Sequence, residues 1–381
     1  MIRSRPWTAL SKTATMQRRC LHASPFLQVS VITFNKSGSP KLQEALNLLR
    51  EKIILPTYLS PEQQEQRHKS RNKKKLDTDP ITLEIDGEVV KFGFQDRFEL
   101  PNTWKVFQDI YKNMNTKVDF DNLRPALEGL KKAHRHLPHH AYTKLIAKAY
   151  HIDALDTILD CVRAVKKTHF KLDHHEKVAT LLTAIQTIAV QSGWKKAELE
   201  KALKRTQSIL DALEAEPVHK PSAKQNSEKW AFPLYRDPLI LSSRLHMAAA
   251  LAAKHNGGKD VDGVVAKYAQ ELLSLWPQSA GLGDMYPASG LQNEAYVKYL
   301  VDPHSNRTLW VLANVQSGLK LAAQVAEPTL AKELLNRTDA IEKDVQAALA
   351  VAQGKAEKNP EYVAVGLEVY KKVNQAGESA A

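Results

Sequence analysis

Apolar residues recur at helical spacing along most of this chain. Between 41 and 54 they stand at Leu42, Ala45, Leu46, Leu49 and Ile53, the one-sided pattern of an amphipathic helix. Pro56 stops that helix, and Ser60-Pro61-Glu62 opens another by placing a cap before a proline. Residues 81–94 change the period. Ile81, Leu83 and Ile85 alternate with polar positions, Asp86-Gly87 supplies a two-residue turn, and Val89-Val90-Lys91-Phe92 returns, which predicts one β-hairpin.

From Pro101 onward the helical period resumes. Asn102 caps a segment bearing Trp104, Phe107, Ile110, Tyr111 and Met114. Paired stripes follow: Ala141, Tyr142, Leu145, Ile146 and Ala149, then Leu155, Ile158, Leu159, Val162 and Val165. A second pair carries Val178, Leu181, Leu182, Ile185 and Ala189, then Leu199, Leu203, Ile209, Leu210 and Leu213. Residues 215–229 are polar and proline-containing, as a linker would be. Beyond them the chain turns Ala- and Leu-rich, with helices expected near 238–255, 261–276, 306–326, 328–354 and 360–374 and a loop from Pro277 to Gly290. The predicted fold is mainly α: an irregular helical-hairpin stack with one small β-hairpin and an extended basic N-terminal arm. The predicted organisation is a presequence at 1–28, an N-terminal helix and basic arm at 29–78, the hairpin at 79–100, a helical-hairpin domain at 101–214, a linker at 215–232 and an Ala-rich helical domain at 233–381.

Charge sharpens this picture at the N-terminus. From Met1 to Gln43 there are seven Lys/Arg, at Arg3, Arg5, Lys12, Arg18, Arg19, Lys36 and Lys41, and no acid before Glu44. A cationic, Ser/Ala-rich stretch without a long apolar run is the pattern of a mitochondrial presequence. Arg19-Cys20-Leu21-His22-Ala23-Ser24 fits two-step matrix cleavage, with cuts after Cys20 and Gln28 and a mature chain starting at Val29. The plain alternative to a presequence is a basic, unstructured tail. Of the 54 Lys/Arg and 42 Asp/Glu in the chain, residues 1–75 hold 15 and 4, so 76–381 is nearly neutral with 39 against 38. The formal charge of +12 therefore belongs to the lead-in and not to the body.

The density is highest at Arg67-His-Lys-Ser-Arg-Asn-Lys-Lys-Lys75, six permanent cations in nine residues. Alone in water such a segment is expected to be disordered and to order on a polyanion. Arg67, Lys69, Arg71, Lys73, Lys74 and Lys75 could displace about six counterions from RNA, giving steep salt dependence without sequence discrimination. The plain alternative is a solubilising tail. Lys131, Lys132 and Arg135 join these as candidate RNA-binding residues, with Lys166-Lys167 and Lys195-Lys196 as weaker ones. Eight of the 14 histidines fall between 134 and 175. Interleaved with lysines, whose charge opposes a metal ion, they suit a stacking-capable RNA surface or a solvated polar loop better than a metal site.

Other chemistry is thinly represented. No Gly-x-Ser-x-Gly, His-Glu-x-x-His or dinucleotide fingerprint occurs. The two cysteines, Cys20 and Cys161, would be reduced to one by presequence removal, and Cys161 falls among apolar helical positions as a small buried side chain. Asp260-Val-Asp262-Gly263 is read as a helix cap rather than as calcium ligands, and Gly257-Gly258 as a turn. No catalytic residue, cofactor, metal, membrane span or small-molecule substrate is expected.

Two resemblances extend this reading. The phrase Tyr142-Thr-Lys-Leu-Ile-Ala-Lys-Ala-Tyr150, with His139-His140 and His174-His175 standing 35 positions apart, resembles a pentatricopeptide helix pair over about two units. Leu100-Pro-Asn-Thr-Trp104 through Leu182, together with the domain order, resembles fungal-type large-subunit ribosomal proteins specific to mitochondria. That resemblance implies a structural, non-enzymatic role, contacts with mitochondrial rRNA and neighbouring ribosomal proteins, and a matrix location. The alternatives are a pentatricopeptide-like translation or maturation factor, and an assembly subunit of a respiratory complex.

Overall fold

A computed structural model describes residues 31–215, 217–219, 232–286, 304, 307–359 and 365–378. The expected presequence with its processing site and most of the expected linker lie outside the described residues. The fold is mainly helical with one two-stranded antiparallel hairpin, as the periodicity requires. Contacts divide the chain into a small unit, whose described residues are 31 and 61–96, and a large one formed by 32–60 and 97–381.

In the small unit, α2 (Pro61–His68), a 3₁₀ turn (Ser70–Asn72) and α3 (Lys73–Thr78) precede β1 (Ile81–Ile85) and β2 (Glu88–Phe92). The strands pair in register from Ile81 opposite Phe92 to Ile85 opposite Glu88. Asp86 and Gly87 take φ of 54° and 80°. Both central residues of a two-residue hairpin turn must be left-handed to match the strand twist, which is what Asp-Gly supplies. The expected disordered arm is thus corrected: residues 67–75 are folded into short helical pieces beside their own hairpin.

The large unit opens with α1 (Pro40–Leu49), begun by Ser39, whose Oγ accepts from the Leu42 amide, and continued by a π turn (Arg50–Ile54) and a 3₁₀ turn (Leu55–Tyr58). Helix α4 (Thr103–Asn113) packs on α1, and the Asn102 side chain caps it by accepting from the amides of Trp104 and Lys105. Then come α5 (Lys117–Phe120), α6 (Leu123–Lys132), α7 (His139–His151), α8 (Leu155–Arg163) and α9 (Val165–Thr168). Asn122 ties the chain before α1 to this group: Asn35 donates its amide to Asn122 Oδ1 at 2.7 Å, and Asn122 Nδ2 donates back to the Asn35 carbonyl at 3.1 Å.

Helices α10 (His175–Gln191), α11 (Lys196–Ala215), α12 (Pro238–His255), α13 (Val264–Leu275), α14 (Leu282–Met285), α15 (Thr308–Val325), α16 (Pro328–Lys358) and α17 (Val365–Glu378) complete the described body. The pairs α7–α8 and α10–α11 form where the stripes place them. A nearest-neighbour solenoid would stop there, but α10 also packs directly on α12, α15 and α17. Helices on both sides of residues 216–231 therefore share one hydrophobic core, running from Leu42 to Val369. The α12–α15 contact is close because Gly318 faces His246: a Cβ there would lie 2.7 Å from His246 Cβ.

Candidate nucleic-acid interface

The basic run is positioned by the strand it precedes. Arg67 is only 6% exposed. Its Nε donates to the Gly93 carbonyl at 3.0 Å and its guanidinium lies 5.6 Å from the centre of the Phe92 ring. Burial lowers the pKa of this guanidinium from its usual value, and the carbonyl and ring supply what water would have given. The backbone locks in as well, since the Gln95 amide donates to the Arg67 carbonyl at 3.1 Å and His68 Nδ1 meets the Gln95 carbonyl at 2.7 Å. Arg67 is thus a structural group of the small unit and not a surface cation. The remaining candidates differ among themselves. Lys69 is half-buried and pairs with Glu65 at 2.8 Å. Lys73 lies 5.5 Å from the centre of the Phe94 ring yet stays exposed, together with Arg71, Lys74 and Lys75. Leu76, buried one residue later, anchors α3 so that these cations remain on the outside.

In the large unit Lys131 and Lys132 close the last turn of α6, where a helix end concentrates carbonyl dipoles. Lys131 Nζ donates to the Lys166 carbonyl, Lys132 Nζ lies 3.4 Å from the centre of the Tyr58 ring, and Arg135 is exposed.

The histidine-rich stretch does not form one surface. His175 is fully buried, 3.3 Å from Asp237 Oδ1, and Asp237 also caps α12 and accepts from the Tyr286 hydroxyl at 2.8 Å. His139 stacks on His174 with ring centres 4.9 Å apart, His140 meets the edge of Trp104 at 5.4 Å, and His136 lies 4.8 Å from His169. Burial, followed by Lys171, His136 and Lys131, lowers the His169 pKa to about 4, which keeps that ring neutral at pH 7. Among the described residues no group of three or more His, Cys, Asp or Glu is placed to hold a metal ion. No helix there is long and apolar enough to cross a membrane.

Other readings resolve locally. Cys161 is fully buried on α8 and burial pushes its thiol up to about 12, leaving it protonated and unreactive at neutral pH. Asp260 caps α13 by accepting from the Ala266 amide at 2.8 Å, while Gly263, at φ 66°, starts that helix. Gly257 and Gly258 form a left-handed turn. The expected loop after Pro277 contains the short helix α14.

The family model for mitochondrial ribosomal protein mS27 matches residues 19–372. The small ribosomal subunit protein mS27 of Neurospora crassa is 37% identical over 359 residues, covering 90% of this chain and 90% of that protein. The chain belongs to the mitochondrial ribosomal protein mS27 family. Membership confirms the resemblance at the level of mitochondrial ribosomal proteins and does not favour the pentatricopeptide-factor reading. The expected large-subunit assignment is overturned, because the mS27 relative from Neurospora is named a small-subunit protein. The physical reason for the error is simple. Cationic runs report a polyanionic partner, and the rRNAs of both subunits present the same phosphates.

Proposed function

We propose that this chain is a structural constituent of the small subunit of the mitochondrial ribosome, working in the matrix without catalysing a reaction. Exposed cations of the small unit, Arg71, Lys73, Lys74 and Lys75, contact rRNA phosphates, with Lys69 at the margin. Lys131, Lys132 and Arg135 do the same from the large unit, and helical faces contact neighbouring ribosomal proteins. The observation that carries this reading is the mS27 family match along residues 19–372. The folded basic run adds a physical rationale. A cationic helix held by Arg67 and Leu76 loses less conformational entropy on binding than a free arm would.

The test is sedimentation of the tagged protein from a mitochondrial lysate on a magnesium-containing gradient. Co-migration with the small subunit is expected, and recovery only as a free, light species rejects the proposal. Import into the matrix with loss of residues 1–28 belongs to the same reading. N-terminal sequencing of the protein from purified mitochondria should give Val29, and an intact Met1 counts against it.

A further inference from the structure

Two stretches without a single acidic residue, 129–138 and 164–172, stand 35 positions apart in the sequence. The first holds Lys131, Lys132 and Arg135, the second Lys166, Lys167 and Lys171, with His134 and His136 in the first and His169 in the second. The fold brings them together, because α6 packs on α9. Lys131 Nζ donates to the Lys166 carbonyl and the His136 and His169 rings lie 4.8 Å apart. A left-handed histidine follows each helix, His134 at φ 52° one residue beyond the α6 cap Ala133 and His169 at φ 59° as the cap of α9. Both helix ends therefore stop at the same place.

A helix C-terminus attracts one or two cations to its carbonyls. Six gathered at two ends exceed that need. The two stretches hold no carboxylate of their own, while around them Glu128 pairs with Arg124 at 3.0 Å, Asp160 with Arg163 at 3.1 Å, and Asp173 with Lys177 at 2.7 Å and His174 at 2.9 Å. Arg135, Lys166, Lys167, His134 and His136 are exposed, so the His136 ring beside His169 is open to solvent. Positive charge is thus concentrated on a body whose overall balance is nearly neutral, and such a patch lowers the free energy of a polyanion beside it.

We propose that this paired helix end is an RNA contact of its own, in which Arg135, Lys166 and Lys167 take adjacent phosphates and His136 stacks on an unpaired base. The contact rests on the ribosomal reading above and adds a specific place to it. Single-stranded RNA fits better than duplex, since an exposed ring can be used only where a base is unstacked. An acidic protein segment would use the cations and leave the ring idle.

The experiment measures binding of the full chain to a transcript of the mitochondrial small-subunit rRNA across a salt series. Relative to the unsubstituted chain, R135A/K166A/K167A should flatten the dependence of log affinity on log salt by about 2–3. The charge-conserving R135K/K166R/K167R should restore it. An unchanged slope in the alanine variant, with helix content preserved by circular dichroism, overturns the proposal. Ultraviolet crosslinking of intact small subunits gives a measurement that needs no variant. RNA adducts on peptides spanning 133–138 or 164–171 support the contact, whereas crosslinks from those peptides only to an acidic protein overturn it. If the unsubstituted chain co-sediments with the subunit but the slope does not move, only this contact fails. If it does not co-sediment, the ribosomal reading fails with it.

Discussion

The small unit and the helical body both bury an arginine, and the comparison shows how differently the two are held together. In the small unit, where Leu76, Ile85 and Phe92 are also buried, Arg67 lies over the Phe92 ring with its Nε on the Gly93 carbonyl. A two-stranded sheet with a few apolar residues is marginal on its own, so the polar lock between helix and strand carries a large share of the order. In the body Arg337 is equally buried and donates Nη2 to the Trp276 carbonyl at 3.0 Å. There the core is long and continuous, and one lock matters less than the apolar side chains around it. Burial in the first case organises a cationic surface; in the second it closes a gap between helices α13 and α16.

Four measurements can break or sharpen that contrast. The largest effect belongs to the body. Trp276→Ala removes a fully buried indole, its Nε1 bond to the Ala280 carbonyl and the packing around Arg337, and should cost about 3–5 kcal/mol in chemical denaturation. A loss below ~1 kcal/mol would mean that the core is not as tightly filled as its burial implies.

Next comes acid. His246 is fully buried between Gln186, whose Oε1 lies 2.8 Å from its Nδ1, and the Trp194 ring, and burial lowers its pKa from 6.5 to about 3. Below pH 6.5 the unfolded chain takes up a proton that the folded chain refuses, so stability present above that pH is lost as pH falls toward 3. The slope is on the order of 1.4 kcal/mol per pH unit for this group. Unfolding curves between pH 7 and 4 should be less steep in His246→Gln, and equal slopes would remove His246 from the account.

In the small unit, Arg67→Ala leaves the Gly93 carbonyl without its donor and should cost about 1–3 kcal/mol of local stability. Limited trypsin digestion should then cut faster between Arg71 and Lys75, and Arg67→Lys should rescue poorly, because an ammonium lacks the planar fork. Unchanged cleavage would return the run to the status of a free arm. The smallest effect on stability is expected from K73A/K74A/K75A, within ~0.5 kcal/mol. The same variant should flatten the salt dependence of rRNA binding by about 3, and a full-sized slope would clear these lysines of phosphate contact.

Much of this was legible from residue spacing. Leu42 through Ile53, the caps at Asn102 and before Pro61, the Asp86-Gly87 turn and the helices expected at 238–255 and 328–354, the second of which runs on to Lys358, are local features, each determined by neighbours within a few positions. Arg67 was not legible. Within a run of cations it is chemically identical to Arg71, and only the carbonyl of Gly93 and the ring of Phe92, more than twenty positions away, distinguish it. His175 was misplaced among surface histidines for the same reason, since its partner Asp237 lies 62 positions further on.

What the sequence determined by itself is the kind of molecule: helices with one hairpin, cations gathered ahead of a neutral body, and membership of the ribosomal proteins of mitochondria. Period, turn chemistry and net charge are sums over near neighbours, so the chain order alone contains them. Tertiary structure decided which cations face water, which histidines are buried, and that α6 and α9 end side by side. Those outcomes depend on long-range packing, where a side chain is satisfied by a carbonyl, ring or carboxylate that no local pattern brings near it.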